Sequence, residues 1–116
     1  MSEARYDLSD RLESFAANII MLYDKRPESY SGDYLAKQLI RSSCSSALNY
    51  GEVLGAGTSK DKINKLRICL KELRECERNL NIQSKAGLFP KTNLSELKNE
   101  IDQLIRIVVT MLKNSK

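Results

Sequence analysis

Arg41, Ser43, Ser46, Asn49 and Glu52 recur at helical spacing and form the polar cluster of this chain that most resembles a site. As a catalytic or ligand-binding cluster it lacks one part. A serine hydroxyl becomes a nucleophile only beside a group that takes its proton near neutral pH, and the chain has no histidine, the commonest such base. No catalytic residue is assigned, and the expectation is a protein that is not an enzyme. Arg41 and Glu52 are too far apart to pair within one helix, so each needs a partner elsewhere, because an unpaired buried charge costs several kcal/mol. The cluster is therefore read as a polar network between helices or between subunits, fixing register or oligomer state.

The second constellation is cationic. Lys60, Arg67, Lys71, Arg74 and Arg78 step by seven, four, three and four, which places them on one stripe of a helix. Residues 60–85 carry eight basic and four acidic groups, whereas residues 1–57 carry six basic and eight acidic. Like charges three or four apart repel by a few tenths of a kcal/mol per pair, so an opposite charge should compensate. Acidic residues of the first helix (Asp7, Asp10, Glu13, Asp24) could do so within or between subunits. RNA or DNA phosphates could do so as well, with salt-dependent binding. No basic-aromatic alternation and no glycine-rich phosphate loop accompanies the stripe.

The remaining chemistry is quiet. Cys69 and Cys76 are two turns apart on one helix, beyond disulfide reach. Three cysteines without histidine do not make a usual zinc set, so all three are read as small buried hydrophobes and neither metal nor cofactor is expected. No apolar run approaches the ~20 residues of a membrane span, and the N-terminus lacks the apolar core of a signal peptide. No membrane partner or small-molecule substrate is expected, and the expected location is the cytoplasm.

Four amphipathic segments must position these groups. Leu8, Leu12, Phe15, Ile19 and Leu22 form a heptad seam on a helix from about Asp7 to Lys25, which Pro27 should stop. Ser29 to Asp33, with Gly32, reads as a turn. A second helix from about Asp33 bears Leu35, Leu39, Ile40, the serines, Tyr50 and Val53, and should end at Gly55–Gly57. Thr58 with Asp61 resembles a capping box for a third helix, about Ser59 to Lys85, closed by Gly87. Its core stripe is Ile63, Leu66, Leu70, Leu73, Glu77 and Leu80, widened by Ile68, Cys69 and Cys76. Asn93 with Glu96 should cap the fourth, whose seam is Leu94, Leu97, Ile101, Leu104, Val108 and Met111. No segment alternates with period two, so the expectation is an all-α, up-down-up-down antiparallel four-helix bundle forming one domain over residues 1–116.

Residues 35–80 resemble the small bacterial four-helix bundle family of proteins encoded in 23S ribosomal RNA intervening sequences. Arg41, Ser42-Ser43, Ser46 and Asn49-Tyr50-Gly51-Glu52 match that family's arginine, serine pair and Asn-Ile-Ala-Glu-Gly motif. Leu66-Arg67-Ile68-Cys69-Leu70 and Leu73-Arg74-Glu75 match its leucine-rich third helix ending in glutamate. The chain departs at Tyr50, Gly51 and Val53, and has Lys71-Glu72 where the family has Gly-Ser. The resemblance implies a homo-oligomer, a ring of five, with Arg41, Ser43, Ser46, Asn49, Glu52 and Glu75 as motif or subunit-contact residues. The family is similar in fold to the accessory protein of diversity-generating retroelements, which works with a reverse transcriptase and nucleic acid. Two functions follow as expectations: RNA or DNA binding through the third helix, or a protein-interaction scaffold that contacts no nucleic acid.

Overall fold

A computed structural model describes residues 2–24, 29–88 and 91–115, with side chains over 8–24, 29–88 and 94–115. Four helices follow in order: α1 (Ser2–Tyr23), α2 (Tyr30–Gly55), α3 (Ser59–Ala86) and α4 (Lys91–Asn114). Neighbours in sequence pack against each other and α4 closes on α1, so α1 and α3 are diagonal across an all-α four-helix bundle of 45 × 20 × 19 Å.

The helix ends follow from local chemistry. Ser29 caps α2 by accepting from the Gly32 amide at 3.0 Å. The segment 30–33, expected as a turn, is thus the first helical turn, and Gly32 is buried in it. A serine oxygen in place of a missing carbonyl is enough to start the helix three residues earlier. Thr58 accepts from the Asp61 amide at 3.1 Å, and Gly87 ends α3 in the left-handed conformation, φ 67°, which glycine adopts without a Cβ penalty. α4 begins at Lys91, two residues ahead of the expected Asn93 cap. Pro27, expected to stop α1, lies outside the described residues, and α1 ends at Tyr23.

The seams of α1 and α4 interlock in one core, with Leu8, Leu12, Phe15, Ile19, Leu94, Leu97, Ile101, Leu104 and Val108 buried. α2 adds Leu39, Tyr50 and Val53; α3 adds Leu66, Cys69, Leu73, Cys76 and Leu80. Ile68, expected in the core, is exposed: it sits toward the outer side of α3, beyond the arc that runs through Leu66, Cys69 and Leu73. Ile63, Leu70 and Glu77 lie at the core's edge. Cys44 is partly accessible, unlike Cys69 and Cys76.

Candidate nucleic-acid interface

Helical spacing spreads the α2 motif residues over about half the circumference of the helix and divides them by depth. Ser42, Ser43 and Ser46 are buried inside the protomer. Their hydroxyls donate largely to their own helix: Ser42 to the Gln38 carbonyl at 3.0 Å, Ser43 to Ile40 at 3.2 Å, Ser46 to Ser43 at 2.7 Å. The Asn49 amide likewise donates to the Ser45 carbonyl at 2.9 Å. The network expected among Arg41, Ser43, Ser46, Asn49 and Glu52 is therefore not formed, since each hydroxyl proton is satisfied one turn back. Nor can Ser43 and Ser46 be subunit contacts, because no surface of either reaches the outside of the protomer. What they gain by being small is close packing of α2 within the bundle; Ser42 meets Cys76 of α3 at 3.3 Å.

The motif's charges instead reach to α3. Arg41 donates to Glu72 at 3.1 Å and to Glu75 at 2.5 Å, and Lys65 meets Glu52 at 2.7 Å. The bond to Glu75 is the main cause holding the Arg41 guanidinium above its ordinary pKa, with both carboxylates adding to it against some desolvation. Near the other end the Asn79 amide donates to the Leu35 carbonyl at 3.0 Å. These links set an antiparallel register in which 35 lies near 79, 41 near 75 and 52 near 65.

Cys69 and Cys76 are buried as expected, and they belong to a row whose polar members Glu72, Asn79 and Gln83 the sequence did not reveal. Cys69, Glu72, Cys76, Asn79 and Gln83 step by three, four, three and four, and all five are buried. The Gln83 amide donates to the Tyr23 hydroxyl and to Asn79 Oδ1, both at 2.6 Å. Burial is the first cause that pushes the thiols of Cys69 and Cys76 up to about 12, so neither is a nucleophile at neutral pH.

The cation stripe lies on the opposite face of α3. Lys60, Arg67, Lys71, Arg74 and Arg78 are all exposed. Lys65 is the one α3 cation with a carboxylate partner among the described residues. On the other helices Arg11 pairs with Glu100 at 2.7 Å, Lys37 with Asp33 at 3.0 Å and Arg106 with Asp102 at 2.9 Å, whereas Lys98 and Lys113 of α4 have no carboxylate partner among the described residues. Over 18 residues the stripe runs about 27 Å along the helix. The acids expected to compensate it within the protomer do not, because Asp10, Glu13 and Asp24 are exposed on α1, diagonally across the bundle. Asp7 lies outside the described side chains.

Two recesses are lined by described residues. A cavity of about 90 Å³ is lined by Tyr50, Val53, Leu54, Lys62, Leu66, Met111 and Ser115, well under the 300–1,000 Å³ typical of ligand pockets. A shallow cleft of about 350 Å³ at the α2–α3 turn is lined by Glu52, Gly55, Ala56, Asp61 and Lys65, and the Lys65–Glu52 pair crosses it.

Comparison with known proteins agrees with the fold. The crystal structure of a protein with unknown function from the S23 ribosomal protein family of Bacteroides thetaiotaomicron is similar over 94% of this chain and 97% of its own, with 26% identity and a TM-score of 0.82. No curated protein matches the chain. The family model of the 23S rRNA-intervening sequence protein matches residues 5–110, nearly the whole bundle and both constellations described above. The chain belongs to the 23S rRNA-intervening sequence protein family.

Proposed function

We propose that this chain is a non-enzymatic, self-associating bundle that binds RNA or DNA phosphates along α3. The observation that carries the reading is the row Lys60, Arg67, Lys71, Arg74 and Arg78, exposed on one face and without a carboxylate partner among the described residues. Three successive like-charged pairs on one helix are unfavourable in isolation, and a polyanion removes that repulsion. A ring of five would repeat the row and strengthen its field. The test is titration of the protein with generic RNA and DNA at about 50 mM salt, beside the triple variant Arg67→Glu/Lys71→Glu/Arg74→Glu. Binding by the parent and its loss in the variant is expected; no binding by the parent, or equal binding by both, rejects the proposal.

One observation favours a second reading, the scaffold without nucleic acid. The outer face of α1 carries exposed Asp10, Glu13 and Asp24 together with exposed Ile20 and Met21. The bundle is thus acidic on one side and basic on the diagonal one, and copies could stack head to tail, a heterologous contact that gives a ring where the rotation between copies closes. In that case Asp10→Lys/Glu13→Lys breaks the oligomer in light scattering, and mixing it with the α3 triple variant restores association between unlike copies, in alternating assemblies with an even number of chains.

A further inference from the structure

The side chains beside the cation row indicate which form of nucleic acid it suits. Tyr30 and Tyr34 are 90% and 57% exposed on the first turns of α2, one turn or about 6 Å apart along the axis. Neither hydroxyl has a hydrogen-bond partner among the described residues. Their position relative to α3 follows from the register. Arg41 crosses the α2/α3 seam on its outer side to Glu75. Tyr34 is seven residues before Arg41 and Ile82 seven after Glu75, so Tyr34 and Ile82 repeat that outer pairing two turns further on. Ile82 is itself half exposed. Arg78 lies one turn from Ile82, Lys71 and Arg74 follow below, and Lys85 lies beyond it, all exposed. Two accessible aromatic rings thus stand at the end of a run of uncompensated cations.

We infer that Tyr30 and Tyr34 form a base-stacking platform, and that the nucleic acid held along α3 is single-stranded. This rests on the phosphate-binding role proposed above. In a duplex the base faces are covered by their neighbours, so only an unpaired strand can offer a ring to each tyrosine while its phosphates lie along Arg78, Arg74 and Lys71. Stacking of this kind tolerates any base and adds to the backbone attraction without sequence specificity.

The experiment uses the full chain, a fluorescein-labelled 20-nucleotide oligo-dT, the matching oligo-U RNA and a 20-base-pair DNA duplex, compared at the same series of salt concentrations. The parent is expected to prefer both single strands. Tyr30→Ala/Tyr34→Ala should weaken single-strand binding by about tenfold per ring, leave duplex binding unchanged and keep the same salt slope. Tyr30→Phe/Tyr34→Phe, which keeps the rings, should bind like the parent. The chain has no tryptophan and five tyrosines, so stacking is also read as quenched tyrosine emission. Equal affinity for duplex and single strands, or parent-like single-strand binding by the alanine variant, overturns the platform while leaving phosphate binding intact. An alanine variant that loses only its oligomeric state assigns the face to a second copy. Failure of the parent to bind any of the three probes removes the phosphate reading itself and the platform with it.

Discussion

Replacing Arg41 with methionine tests whether the α2–α3 seam is held by its charges. The guanidinium bridges two carboxylates of unequal depth: the Glu72 side chain is 9% exposed and that of Glu75 is 39%. At 3.1 Å and an effective dielectric near 20, the gross attraction to Glu72 is about 5 kcal/mol. Much of it offsets the cost of desolvating Glu72. The Arg41 side chain is itself 51% exposed, so water screens the pair and the 3–5 kcal/mol typical of breaking a buried pair is an upper bound. A loss of about 2 kcal/mol is expected, most of it from Glu72 left without its cation. Glu75→Ala, at the rim, should cost under about 1 kcal/mol. In urea, with a slope of about 1.5 kcal/mol/M, Arg41→Met should lower the midpoint by roughly 1.3 M. Arg41→Met/Glu72→Leu should recover most of that loss, because neither charge is then stranded. If Arg41→Met unfolds at the parent midpoint, or the double variant is less stable than the single, the seam is not held this way.

Gly51→Ala should stabilise the protomer by about 0.5–1 kcal/mol, since a Cβ there meets nothing within 4 Å; a lower urea midpoint would show that the position is crowded by a neighbouring copy. An Ellman titration of the native protein near pH 8 should find Cys44 alone reactive, with Cys69 and Cys76 joining after denaturation; three fast thiols would refute their burial. Because the folded-state thiols of Cys69 and Cys76 sit at about 12, above their ordinary value of 9.0, their contribution to stability is complete below about pH 9 and declines between pH 9 and 12. Urea midpoints should therefore fall across that window, and less steeply in a Cys69→Ala/Cys76→Ala variant.

The apolar seams of α1 and α4 were legible in the sequence except at their margins, where Leu22 and Met111 are only partly buried and Ile105 joins the core, because leucines at steps of three and four have one efficient burial geometry. Ile68 misled for the opposite reason: hydrophobicity alone widened the α3 stripe past the arc that the bundle covers. Glu72, Asn79 and Gln83 were missed because polar residues read as surface, although their steps of three and four continue the row of Cys69 and Cys76. The α2 serines were legible as a demand for small side chains, yet not as to whose backbone comes close; only packing shows that the neighbour is the same chain. The cation row was readable from spacing, whereas its lack of a partner depended on α1 lying diagonally from α3, which is a property of topology. The tyrosines gave no signal because the register between α2 and α3 sets their place beside the row.

The most direct test of phosphate binding along α3 is the salt dependence of oligo-dT affinity between 50 and 200 mM. Five phosphate contacts per protomer on a single strand give a slope of log K against log salt of about −3.5, a loss of about 100-fold over that range, and reversing Arg67, Lys71 and Arg74 should bring it near −1.5 or abolish binding. A slope near zero, or one unchanged by the triple reversal, would contradict the account.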